Sequence, residues 1–125
     1  LSDLDKNEYG AKVRAKLAGL EKDISGDKWQ LFLPAIDTFL KEHLFADIFV
    51  RDVISHQDRE LATIAALANM TGTGGQLGFH LGAAMNTGLT EAQMKDFIAV
   101  LKTTVGKAQA ESAQKILTEV LNNRK

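Results

Sequence analysis

A chain of 125 residues with 45% hydrophobic and 25% charged residues is sized and composed for one globular domain, and leaves no room for two independent cores. Fifteen Lys plus Arg against sixteen Asp plus Glu leave a formal charge of -1, so no overall field recommends nucleic acid or an anionic membrane as partner. With no cysteine, disulfide scaffolds, thiolate metal sites, catalytic thiols and CxxC redox chemistry are all excluded.

From Asn7 to Leu20 the apolar positions Tyr9, Val13, Leu17 and Leu20 recur at steps of four and three and predict a short amphipathic helix. Asp23 to Lys28 is polar, contains Gly26, and reads as a loop. Trp29, Phe32, Ile36, Leu40 and Leu44 keep helical spacing, but Pro34 belongs in a first turn, so the main helix is predicted from Pro34 to Leu44. Trp29, Phe32 and Phe39 are assigned to the core, because no basic interleaving accompanies them as a base-stacking surface would require. Phe45 to Ile54 is apolar without a clear period and reads as a short helix or buried connector.

Ser55 offers a helix cap before Leu61, Ile64, Ala65 and Ala68, and this helix is predicted to end near Met70. Thr71 to Gly75 breaks it, and Gln76 to Asn86 resumes through Leu77, Leu81 and Ala84, with Gly88 as a left-handed stop. Thr90 to Gln93 is a capping box for a helix lined by Met94, Phe97, Ile98 and Leu101. Gly106 precedes the last helix, whose Ile116, Leu117, Val120 and Leu121 face inward, and Arg124 and Lys125 form a solvated tail. The expected fold is all-α: about six helices in one compact domain, 1–125, around a central antiparallel hairpin.

His80 falls beside Leu77 and Ala84 at the edge of the buried stripe. Two readings stand: a core-edge histidine bonded to a backbone carbonyl, or a proton donor at the rim of a pocket. Glu60 reads as a surface acid favoured by the helix N-terminus. With the hairpin centred midway between Met70 and Gln76, Glu60 faces Asn86, ~9 Å along the axis from His80. A direct bond between them then needs strongly crossed helices, a water or a second subunit. His56 and Glu60 share a helix face, but HExxH is absent and no third ligand can be named, so no metal is expected. His43 near a helix end reads as structural. The glycines at 72, 74, 75 and 78 do not make a phosphate loop, since position 77 is Leu and no strand precedes them.

The order Arg59-Glu60-Leu61, a glycine-containing loop, His80, the Asn86-Thr87-Gly88 turn and the Thr90 cap resembles the core of the carboxymuconolactone decarboxylase family, which also includes the alkylhydroperoxidase D-like proteins. The resemblance covers 45–120, with 1–30 as an N-terminal helical extension. Members of one branch carry a CxxC pair before the histidine and act as thiol peroxidases; those positions fall on Thr73 and Gln76 here, so that chemistry is disfavoured. The other branch includes a decarboxylase of a carboxylated lactone that works without a cofactor. What this resemblance implies is a cofactor-independent lyase with His80 as proton donor and Glu60 beside it as the catalytic pair. Arg59, Arg51 and Gln76 are then the substrate-binding residues for a small anionic organic acid. It further implies a homo-oligomer, trimer or hexamer, in a cytoplasmic setting with neither nucleic acid nor membrane as partner. Two departures stand out: Asp52-Val53 replaces a frequent Pro-Gly, and the Glu60 to His80 interval is one residue longer than in the cysteine-bearing branch. A non-catalytic binding or assembly member, and an unrelated hydrolase or isomerase using His80, are the alternatives. A chain that begins with Leu1 also fits a trimmed front, including a removed export signal.

Overall fold

Buried charges stand among the apolar residues on the inner side of the first helices in the computed structural model, which describes residues 3–124. The chain divides into two compact units, Leu1–Ile54 and Ser55–Lys125, each taken by itself below.

In the first unit, α1 (Lys6–Ala18) starts where the Asp5 carboxylate accepts the Glu8 amide, and stops at Gly19, whose φ of 71° returns its N–H to the Ala15 and Lys16 carbonyls. A 3₁₀ turn (Ile24–Gly26), absent from the sequence expectation, lies inside the predicted loop. α2 (Lys28–Phe32) and α3 (Pro34–Phe39) follow, with Pro34 in the first turn as expected. The helix predicted to reach Leu44 instead widens into a π-helical segment, Leu40–Ile48, closed by the Phe49 N–H on the Leu44 carbonyl five residues back. α1 packs on this segment at Gly10, where an added Cβ would lie 1.9 Å from the Lys41 carbonyl oxygen.

Arg14 binds Asp23 through Nε and Nη2 and Asp37 through Nη1, at 2.6 to 2.7 Å, and Lys41 Nζ reaches the other Asp37 oxygen at 3.1 Å. The guanidinium also lies 5.9 Å from the centre of the buried Phe45 ring. Burial pushes the Asp23 carboxyl up, but hydrogen bonds from Arg14 and Ser25 and the Arg14 charge outweigh it and hold the group below its usual value. This network occupies the inner face of α3, so the assignment of Trp29, Phe32 and Phe39 to the core is overturned. All three are exposed.

The second unit holds four helices: α4 (His56–Ala68), α5 (Gly74–Asn86), α6 (Glu91–Thr104) and α7 (Lys107–Asn123). The Ser55 cap on the Asp58 amide and the Thr90–Gln93 capping box both form as the sequence predicts. Ile64, Leu81, Met94 and Leu117, one from each helix, are fully buried together, each contributing about 1.5–3 kcal/mol. Gly78 and Gly82 meet Ile116 and Val120 at ordinary contact distance, which lets α7 lie close on α5. The fold is all-α, with seven α-helices and no strand among the described residues. No helix among them is long and apolar enough to cross a membrane.

Candidate functional site

α4 ends at Ala68 and α5 begins at Gly74, so the hairpin turns about residue 71 and not about the expected residue 73. Glu60 therefore faces residue 82, only ~3 Å along the axis from His80. The direct contact, expected to need strongly crossed helices, a water or a second subunit, is present within one chain: His80 Nδ1 lies 2.7 Å from Glu60 Oε2. With Nδ1 protonated, the imidazole donates to the carboxylate, which fixes the ring's orientation and leaves Nε2 outside this bond.

Glu60 is not a surface acid. It stands four and eight residues before Ile64 and Ala68, all three are buried, and Glu60 has no exposed area at all. Its Oε1 has no hydrogen-bond partner among the described residues. The His80 side chain keeps 12% of its area exposed, so the pair sits at the margin of the core with the imidazole on its outer side. Phe79, which sequence reasoning passed over, sets its ring edge-on to the imidazole, 5.1 Å between centres. Its position directly before His80 was the available signal.

The proposed anion-binding residues are spread out. Arg59 is half-buried on α4 beside Glu60 in sequence, and Gln76 is exposed one turn before His80 on α5. Arg51 belongs to the first unit, where it is exposed and its Nε donates to the Asp47 carbonyl. No group of three or more His, Cys, Asp or Glu among the described residues is arranged to hold a metal ion.

The turn after α5 is held structurally. Gln57 Nε2 donates to the Thr87 carbonyl at 2.8 Å, and Gly88, at φ 109°, leaves the space that the carboxamide fills. Arg124 is exposed, as the expected solvated tail requires, and in addition donates to Asn86 Oδ1 at 2.9 Å and to the Gly82 carbonyl at 3.3 Å; Lys125 lies outside the described residues.

The model of the carboxymuconolactone decarboxylase family matches residues 34–119. The chain belongs to this family. It is also 25% identical over 125 residues to a 4-carboxymuconolactone decarboxylase of Acinetobacter baylyi, an alignment that covers 98% of this chain and 92% of that protein. Within the family, the two positions that bear thiols in the peroxidase branch are here structural or exposed. Thr73 Oγ1 donates to the Leu67 and Met70 carbonyls and ties the loop to the end of α4, and Gln76 carries a carboxamide.

Proposed function

We propose that this chain is a cofactor-independent carboxy-lyase acting on a small carboxylated lactone or a related anionic organic acid, with His80 as proton donor. The observation that supports it is the Glu60–His80 pair: an imidazole held at 2.7 Å by a fully buried carboxylate, in a family member without any thiol. Loss of carbon dioxide leaves an electron pair on carbon, and the reaction completes when that carbon takes a proton. On this reading His80 Nε2–H supplies the proton while Nδ1–H stays on Glu60, so the ring does not turn during transfer and the negative carboxylate offsets the imidazolium charge before it. Solvent then restores the proton at Nε2. Arg59, beside Glu60 on α4, with Gln76 on α5 would hold the carboxylate that is retained. The name of the Acinetobacter relative gives the first substrate to try, a 4-carboxymuconolactone.

The test is carbon dioxide release from carboxylated lactones by the purified chain. We expect gas from the wild type and almost none from a folded His80→Ala variant. A folded His80→Ala protein with full activity removes the proton donor. Binding of the lactones without turnover makes the chain a binding protein, and ring opening without gas makes it a hydrolase.

A further inference from the structure

The Glu60–His80 pair has no built-in direction of proton flow. Glu60 Oε2 engages Nδ1 at 2.7 Å and the whole residue is buried, so of the two ring nitrogens only Nε2 stands outside that bond. The nitrogen that gives a proton to carbon in one charge state takes one from carbon in the other. In both directions the imidazolium, before or after transfer, stands against the buried carboxylate. Glu60 Oε1 has no hydrogen-bond partner among the described residues, so the carboxylate is not drawn off to another donor at that oxygen.

His80 is also placed to lose what it collects. Its side chain keeps 12% of its area exposed, so a proton taken up at Nε2, the only one there, exchanges with water. The ring is held at Nδ1 by Glu60 and stands edge-on to Phe79 at 5.1 Å between centres, so a carbon bound beside it meets Nε2 from one direction.

We propose a second activity at this site: the chain removes a proton from the carbon beside the carbonyl of a small lactone that has no carboxylate left to lose, and exchanges that hydrogen with solvent. The location and the ligand class rest on the lyase reading. The C–H bond breaks, its electron pair stays on carbon and spreads onto the carbonyl oxygen as an enolate, and the proton forms the Nε2–H bond of an imidazolium. A solvent proton then replaces it at Nε2 and returns to the same carbon, so water is the sole co-reactant. The enolate is electron-rich at the same kind of carbon as the anion that loss of carbon dioxide leaves, and surroundings that stabilise one stabilise the other. The decarboxylated lactone is therefore itself a substrate for exchange.

The probe is α-angelica lactone bearing a carboxylate on its methyl group, an unsaturated lactone with a methylene beside its carbonyl. It is incubated with the purified full chain in deuterium oxide and followed by proton NMR. We expect exchange above the buffer rate that stops after one of the two methylene hydrogens, because a fixed base reaches one face, whereas buffer exchanges both alike. A folded His80→Ala variant should lose at least ~100-fold of this rate and Glu60→Gln ~10–100-fold. Should His80→Ala fail to fold, His80→Gln carries the same expectation. Exchange at the buffer rate overturns the proposal, and gas release from 4-carboxymuconolactone by the same preparation then shows whether the lyase reading stands without it. Exchange that survives in the folded His80 variant, or that takes both hydrogens equally, overturns it too. Single-hydrogen exchange without gas release upholds the proposal while the lyase reading falls.

Discussion

Replacing Glu60 by Gln separates a working pair from a structural ion pair, because the shape is kept and only the charge is removed. Burying a carboxylate costs several kcal/mol, and here that cost is set against a single hydrogen bond, from His80 Nδ1, since Oε1 has no partner among the described residues. The variant loses a charge-assisted bond of about 1.5–3 kcal/mol and keeps a neutral one of about 0.5–1.5 kcal/mol. It gains an unpaired amide hydrogen where Oε1 was, at about 1–3 kcal/mol, and is relieved of the buried charge. These terms nearly cancel, so the urea midpoint should stay within about 1 kcal/mol of wild type, whereas breaking a structural buried pair costs about 3–5 kcal/mol. Carbon dioxide release should fall about 10–100-fold, the usual effect of removing the group that orients a working imidazole. Urea unfolding followed by circular dichroism, beside turnover on the same preparation, gives both numbers. A loss of 3 kcal/mol or more with turnover intact would refute the reasoning, since it makes Glu60 an anchor of the fold and not a positioning group.

Two further outcomes concern the first unit. Gly10→Ala should destabilise the chain by about 3 kcal/mol in urea unfolding, because the new Cβ meets the Lys41 carbonyl oxygen at 1.9 Å and its carbon at 2.6 Å, and neither backbone atom can rotate away; the ~0.5–1 kcal/mol that Ala gains over Gly in a helix does not offset this. Equal or greater stability would mean that α1 does not approach the π segment so closely. The Asp23 carboxyl lies below its ordinary value of 3.8 in the folded chain, so its contribution is present above that pH and is lost as the pH falls through the folded value. Stability measured against pH should therefore drop on the acid side, and Asp23→Asn should be less stable at neutral pH with a flatter acid limb; an unchanged limb contradicts the assignment.

Helix existence was legible for α1, α3 and α4 to α7 because caps and stripes carry their own signals. Ser55, Thr90 with Gln93, Pro34 and Gly88 all stand where their backbone chemistry requires. The hairpin register was not legible, and the reason is local. Gly74 and Gly75 read as breakers but form the first turn of α5, where a glycine's extra freedom costs about 1 kcal/mol and packing decides the boundary. Moving that boundary and the end of α4 by two residues each carries Glu60 from a place opposite Asn86 to one opposite residue 82, beside His80. The π segment was equally hidden: no residue in Leu40–Ile48 demands it, and the helix packed closely against it at Gly10 lies far earlier in the chain.

The remaining misreadings share one cause, and correcting it yields a rule for the site. Glu60 was assigned to the surface by type and Arg14, Asp37 and Lys41 drew no reading, although each lies on its helix's buried stripe. Asp37, Lys41 and Phe45 follow at steps of four, as do Glu60, Ile64 and Ala68, and Arg14 falls among Gly10, Val13 and Leu17. Asking which charges fall in line with apolar residues finds both buried clusters from sequence alone. It does not say which cluster acts, but hydrogen-bond satisfaction does discriminate. Both oxygens of Asp37 and both of Asp23 have donors in the Arg14 network, as a structural cluster requires. Glu60, more deeply buried than any of them, leaves one oxygen without a partner and gives the other to an imidazole at the core's edge. On the proposed reading that cost has a purpose, since the buried carboxylate holds the His80 imidazole in one orientation.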